Sequence, residues 1–321
     1  MAEMFHKAYV LISKETVAWG TEVTPAKDLG VVTKIGMKNT NNTEQHYSLS
    51  TRLAQDTTVA NFGAEGDVVM RFKHGRILEY AIGAVSHAFT TPDTVHTFTV
   101  GTLPSFTLDD GINSGTDYVD RYLGCKVNSL KINAELGQPL MMTANLVAKT
   151  VNLVSSAETA VISTIASHPY HFCDLKVGTA TSEASLGKTE SWELTLDNGL
   201  SKGESLSTRL LTDLDEMEAK YNFTFTKRFE NHDEYKRFLG IASGAVLATS
   251  VPIDTSIIFT STNGTALGSG KREFYLNSRN AQYSEVETAK NVGEKVVSTF
   301  AGMFRSIYSC TNTDNVAEAS W

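Results

Sequence analysis

Ser48-Leu49-Ser50-Thr51-Arg52-Leu53 returns later in the chain as Ser205-Leu206-Ser207-Thr208-Arg209-Leu210. The displacement, from 48 to 205, is 157 residues, close to half of the 321-residue chain. The surroundings recur at the same displacement: Leu29-Gly30 maps onto Leu186-Gly187, Arg71-Phe72 onto Arg228-Phe229, and Ile82-Gly83 onto Leu239-Gly240. A fixed period of this kind marks a repeated structural unit, and it decides how everything else in the chain is read. The expectation is one domain duplicated and fused, with halves over 1–157 and 158–321. At that size each half buries about 68–70% of the surface its unfolded chain exposes, enough for a core of its own.

Outside the hexapeptides, alternation of apolar and polar residues dominates. Tyr221, Phe223, Phe225, Lys227 and Phe229 alternate with Asn222, Thr224, Thr226 and Arg228, the period of a half-buried strand. Its first-half counterpart runs from Asp67 to Phe72. Further strands are expected over Val31–Met37, Val95–Val100, Ser105–Leu108, Leu123–Leu136, Leu140–Ala148, Ser191–Leu196, Ile253–Thr260 and Glu294–Phe304. The alternation in Leu123–Leu136 slips near Asn128-Ser129, which predicts a bulge. Each half carries one helical stripe. Ile77, Leu78, Ala81, Ile82 and Val85 form the first, and Tyr235, Phe238, Leu239 and Ala242 the second. Leu78 and Ile82, with Tyr235 and Leu239 at the equivalent positions, are the expected helix core. Asn231 is placed to cap the second helix, with Glu234 as its capping-box partner. The fold class is therefore mostly β, two tandem domains each with one helix.

The hexapeptides sit inside long polar segments, Asn39–Gly66 and Asn198–Lys220. Loops of more than ~12–15 residues in compact domains are usually functional or disordered. The plainer alternative is a long hairpin that packs at home.

Composition narrows the function. The net charge is −8, which argues against a general nucleic-acid binder with a basic stripe. Three cysteines, Cys125, Cys173 and Cys310, do not map onto one another under the repeat, so a disulfide framework is not expected. The first apolar run, Ala8–Ile12, is too short for a signal-peptide core, and no run approaches the ~18 apolar residues of a membrane helix. Gly264–Lys271 looks like a phosphate loop but is off by one in spacing, has Arg272 where Ser or Thr would bind magnesium, and precedes the strand-like Phe274-Tyr275-Leu276. It reads as a glycine-rich turn. His168, His171 and Cys173 could begin a zinc site but lack a fourth ligand nearby. Asp213, Asp215, Glu216 and Glu218 lack the spacing of a calcium loop, and only as a weak alternative supply the two carboxylates of a glycoside hydrolase. Asp109-Asp110-Gly111 reads as a turn. No catalytic grouping emerges, and no cofactor or metal is expected.

Trp19-Gly20-Thr21-Glu22 and Pro25 open the chain; a strand, long loop, return strand and single helix follow. Tyr122-Leu123-Gly124-Cys125-Lys126-Val127-Asn128-Ser129-Leu130 then leads to Glu135-Leu136-Gly137. This order resembles the major tail tube proteins of long-tailed bacterial or archaeal viruses. The resemblance implies that each half is a β-sandwich or partly closed barrel flanked by one helix, and that the chain is a structural subunit of the virion tail, assembled in the host cytoplasm. Its partners would be other copies of itself in stacked rings, other tail proteins at the tube ends, and double-stranded DNA passing without specific binding; no membrane is implied. It also implies that the long loops reach the neighbouring ring, through Ser48, Leu49, Thr51, Arg52 and Asp56 in the first and Ser205, Leu206, Thr208, Arg209 and Asp213 in the second. The family's usual ring has six single-domain subunits, so a duplicated chain would close it with three. A tail terminator or capsid-decorating protein of the same fold, an all-β carbohydrate-active enzyme, and a small-ligand module remain as alternatives.

Overall fold

The structure, a computed structural model, describes residues 8–49, 52–90, 93–113, 117–156, 158, 166–264, 272–290 and 295–314. The first half contains β1 (Ala8–Lys14), β2 (Lys27–Asp28), β3 (Val31–Tyr47), β4 (Ala54–Arg71), α1 (Arg76–Ile82), β5 (Gly83–Thr90), β6 (Asp93–Val100), β7 (Phe106–Asn113), β8 (Asp117–Glu135), β9 (Met141–Ala148) and β10 (Thr150–Val154). The second contains β11 (Cys173–Thr179), β12 (Ser182–Ser185), β13 (Thr189–Asp197), β14 (Leu200–Gly203), β15 (Asp213–Glu216), β16 (Lys220–Arg228), α2 (Asp233–Leu239), β17 (Thr255–Thr262), β18 (Glu273–Ala289), β19 (Val297–Phe304) and β20 (Ser309–Asp314). The chain is mostly β, as its alternation predicts. Among the described residues no sheet closes into a barrel.

Pairing follows one order twice. In the first half it runs β2-β1-β7-β8, with β8 also joined to β10 and to β9-β4-β3. In the second it runs β12-β11-β17-β18, with β18 also joined to β20 and to β19-β16-β13. Registers recur as well. Val32 faces Met70 and Lys34 faces Val69, with Thr33 bulged between; Thr189 faces Lys227 and Ser191 faces Thr226, with Glu190 bulged between. Each of these second-half residues lies 157 beyond its counterpart. The bulge expected near Asn128 is present, between Val127 and Ser129, and a second lies between Tyr283 and Glu285. These bulges let β8 and β18 bend, and each long strand pairs with different neighbours along its length.

The halves join along one seam: β13 pairs antiparallel with the C-terminal part of β8, and β6 pairs with β20. The first of these makes a continuous antiparallel sheet in the order β3-β4-β9-β8-β13-β16-β19-β18. One face of it is core. Met70, Met142, Ile132, Leu194, Phe223, Gly302 and Tyr283 form a row across seven strands, and all the apolar side chains in it are buried. Burying a side chain such as Phe223 contributes about 1.5–3 kcal/mol. Gly302 makes room for it, since a Cβ there would lie 2.4 Å from the Phe223 ring.

Several expectations shift. Asp109 and Asp110 are not a turn but lie inside β7, where Arg121 of β8 stands opposite Asp109. β17 runs two residues later than Ile253–Thr260. Val85 belongs to β5 rather than α1, which ends at Gly83 with φ 129°. All of α1 is buried, Leu78 and Ile82 included. α2 departs from its expected face: Tyr235 is 39% exposed, Leu239 is half-buried, and Ala242 lies beyond the helix. Its buried residue is Glu234, whose carboxylate accepts a 2.6 Å hydrogen bond from the Tyr283 hydroxyl instead of closing a capping box. His232 is the N-cap residue, although the Asn231 side chain does accept from the Asp233 N–H at 3.2 Å.

Candidate assembly surface

The segment Asn39–Gly66 is a two-stranded ribbon made by the distal parts of β3 and β4, paired from Asn39 with Ala64 out to Tyr47 with Ala54. Most of its side chains face solvent on both sides, which explains its polar composition. The first hexapeptide lies at the far end. Leu49 and Leu53 are exposed, as are Arg52 and Asp56, whose carboxylate accepts from the Thr57 N–H at 2.7 Å; Ser48 is half-buried and Thr51 falls outside the described residues.

The counterpart, Asn198–Lys220, is a shorter hairpin of β14 and β15, and it is tied down. Leu211 and Leu214 are buried with Val147, against Trp19. The Glu216 carboxylate accepts from the Leu103 N–H at 3.1 Å and from Lys126 Nζ at 2.8 Å, so it is not a free catalytic acid. Asn198, at the base, is buried on the seam, donating to the carbonyls of Ala81 (3.1 Å) and Val127 (3.0 Å). The second hexapeptide lies against the first ribbon. Arg209 donates to the Ala60 carbonyl at 3.1 Å and to Asn41 Oδ1 at 2.7 Å, and its own carbonyl accepts from the Phe62 N–H at 2.8 Å. Lys202 meets Glu65 at 2.5 Å. Ser205, Leu206 and Thr208 remain exposed around a shallow depression bounded by Val59, Ala60 and Asn61, and Asp213 is exposed outside it.

The other face of the eight-strand sheet is polar. Gly36, Asp67, Asn145, Ser129, Asp197 and Lys220 form one row across it; Arg71, Met141, Asn133, Glu193, Thr224, Ala301 and Glu285 form another. Asn145 donates to Asp67 at 2.9 Å and Lys131 pairs with Glu193 at 2.7 Å, so part of the charge is balanced in place.

The remaining chemical candidates are structural. Arg121 makes a bidentate pair with buried Asp109 (2.8 and 2.9 Å) and reaches Glu22 at 2.7 Å and Glu158 at 3.2 Å. Sequence reading missed this cluster, because it took Asp109 for part of a turn and began the next strand at Leu123, beyond Arg121. Glu15 is likewise a buried hub, accepting from the Gly20 and Gly124 N–H groups and from Ser105 and Thr107. His168 is fully buried, with Nδ1 2.6 Å from Ser261 Oγ and its ring 4.8 Å from that of Phe72. Burial first, then nearby Arg272, pushes its pKa down to about 3, so it is held neutral. Cys173 is half-buried and its thiol is pushed up to about 11 by burial. Among the described residues no three His, Cys, Asp or Glu side chains stand together as metal ligands, and no helix is long and apolar enough to cross a membrane. Gly264 ends the described stretch before 265–271, so the glycine-rich segment itself lies outside the described residues.

No curated protein matches the chain. Comparison with known protein families gives a match over residues 6–302, nearly the whole length, to the phage tail tube protein family. That match agrees with a mostly β chain whose polar clusters are structural, and its role is that of a non-enzymatic virion component. The chain belongs to the phage tail tube protein family.

Proposed function

We propose that this chain is a tandem duplication of one tail tube domain, with halves over 1–157 and 158–321, and that three copies close a ring of six equivalent domains. The observation that carries this reading is the recurrence of one pairing order and one set of bulges in both halves. Oligomers favour closed symmetry, and two equivalent domains per chain let a three-copy ring present pseudo-sixfold contacts. Stacked rings form a hollow tube, assembled in the host cytoplasm and ending in other tail proteins. The exposed hexapeptide loops make the contacts between rings. Viral double-stranded DNA passes through without specific binding, along the polar face of the eight-strand sheet. A lumen of net negative charge suits that passage, because a basic wall would hold phosphates through counterion release.

Cryo-microscopy of tubes grown from the purified chain tests this. Three chains per ring with six similar domains and an inner wall richer in Asp and Glu than in Lys and Arg is the expected result. Six whole chains per ring overturns the trimer, and isolated rings that never stack favour a tail terminator instead.

A further inference from the structure

The seam between the halves has a counterpart that is missing within the chain. The C-terminal part of β8 is covered on one side by β9 and on the other by β13. Its repeat equivalent, the C-terminal part of β18, is covered among the described residues by β19 alone. Likewise β13 lies between β16 and β8, whereas among the described residues its equivalent β3 pairs with β4 alone. The two open edges are the two ends of the eight-strand sheet. Open edges of this length are templates for further strand pairing.

The geometry points to a subunit contact in which β3 of one copy pairs antiparallel with β18 of the next, in the register that β13 uses on β8. This rests on the ring reading above and specifies which strands close it. The register follows from the repeat. Position 157 residues before a β13 residue gives its β3 equivalent, as the Thr33 and Glu190 bulges fix. Beyond the bulge in β8 the displacement to β18 is 156, since Ser129 faces Asn145 as Glu285 faces Ala301. Leu194 opposite Ile132 therefore becomes Met37 opposite Thr288. Thr195 opposite Lys131 becomes Lys38 opposite Glu287. Opposite charges thus meet directly across the new pair, an arrangement that stabilises antiparallel strands. Lys38 and Glu287 are both exposed and make no ion pair among the described residues. Glu65, which faces Lys38 across the ribbon, is already taken by Lys202.

A second pair of features on the same flanks agrees independently. In the first half the hairpin of β5 and β6 crosses to cover β20. The equivalent stretch after α2, residues 240–254, forms no strand and exposes Val246, Leu247 and Val251. The equivalent of β20 is β10, whose Leu153 is 84% exposed. The segment 240–254 is placed to cover β10 of the next copy as β6 covers β20.

Cysteine pairing tests the register. Residues directly opposite in an antiparallel pair have Cα atoms about 4.5–5.5 Å apart, within disulfide reach. Met37→Cys with Thr288→Cys, oxidised in assembled tubes, gives disulfide-linked dimers and trimers on a non-reducing gel and no larger ladder. Met37→Cys with Glu285→Cys, three positions out of register, gives monomers. Native Cys125 and Cys310 are buried and do not contribute, and half-buried Cys173 is removed by Cys173→Ser in both variants. Wild-type rings or tubes whose in-register variant fails to link overturn this contact and leave the ring reading standing. A wild-type chain that never forms rings overturns both. Should the cysteine variant not assemble, charge exchange decides: Lys38→Glu and Glu287→Lys each reduce tube yield about tenfold, and together restore it to within about twofold. No recovery in the double exchange overturns the pairing. Amide exchange over 241–254 slows at least about tenfold on assembly; unchanged exchange removes the second contact alone.

Discussion

The two copies of Ser-Leu-Ser-Thr-Arg-Leu share every residue and differ in what surrounds them. The second is anchored at its base by Leu211 and Leu214, and its Arg209 is spent on the neighbouring ribbon. The first stands at the end of a long ribbon with its leucines in solvent. The helices show the same contrast. α1 is wholly buried, with β5 and β6 following it, whereas α2 buries only Glu234. Identical or equivalent sequence is finished inside the chain on one flank and left open on the other. The difference teaches that position relative to the seam, and not local sequence, decides which surfaces a single chain satisfies.

Cutting each loop should separate the two roles by the largest margin. Replacing residues 45–57 with Asn-Gly, a favoured hairpin turn, removes the free end of the first ribbon without touching the contacts of Arg209. The expected outcome is a soluble β-rich protein with a melting temperature within about 2 °C of wild type and no tubes. In contrast, Leu214→Ala should cost about 2–4 kcal/mol in chemical denaturation, because it empties a buried site beside Leu211, Val147 and Trp19. Normal tubes from the shortened ribbon would end the inter-ring role of the first loop. Unchanged stability in Leu214→Ala would mean the second loop is no more anchored than the first.

Acid should weaken the seam itself. His168 lies where the halves meet: its N–H donates to the Phe72 carbonyl at 3.2 Å and its carbonyl accepts from the Leu140 N–H at 2.9 Å. Its pKa is about 3 in the fold, against 6.5 for an ordinary histidine. Between those values the unfolded chain binds the proton and the folded chain does not. Stability therefore rises with pH across this window, is complete above pH 6.5, and falls as pH drops through it, by at most about 1.4 kcal/mol per unit. Burial lowers the pKa of His74 too, with the same sign. Denaturation at pH 7 and pH 4.5 should show wild type losing about 2 kcal/mol more than His168→Gln. Equal losses would show that this histidine is already protonated in the folded protein.

How much of this was legible beforehand depended on whether a residue's partner was local. The slip at Asn128-Ser129 announced its bulge, and the stripe through Leu78 and Ile82 announced α1, because both patterns are written along one stretch of chain. The distal half of β3, Asn39-Thr40-Asn41-Asn42-Thr43, carried no strand signal. Neither face of that ribbon is buried, and alternation is visible only where one face is. Asp109-Asp110-Gly111 has the composition of a turn, yet Asp109 is held inside β7 by Arg121, twelve residues later on the paired strand. The same limit applies to α2: Tyr235 reads as a core residue and stands exposed on the flank that the seam leaves open.

The finest distinction is between the two arginines. Arg209→Ala removes two hydrogen bonds made at an exposed site, where water replaces them, so the net cost is about 0.5–1.5 kcal/mol and the melting temperature falls by about 1–3 °C. Arg52 has no ion pair among the described residues and is exposed, so Arg52→Ala should leave the melting curve where it was. If the first loop reaches the next ring, that silent substitution is the one that lowers tube yield, since a guanidinium fork suits a carboxylate or a pair of carbonyls on the neighbour. Arg52→Lys then recovers only part of the yield, because it keeps the charge and loses the fork. Melting curves by circular dichroism beside negative-stain tube counts read both quantities on the same samples. A fall in melting temperature for Arg52→Ala equal to that of Arg209→Ala would erase the contrast between the loops. Full tube yield from Arg52→Ala would keep the contrast and remove the arginine from the contact.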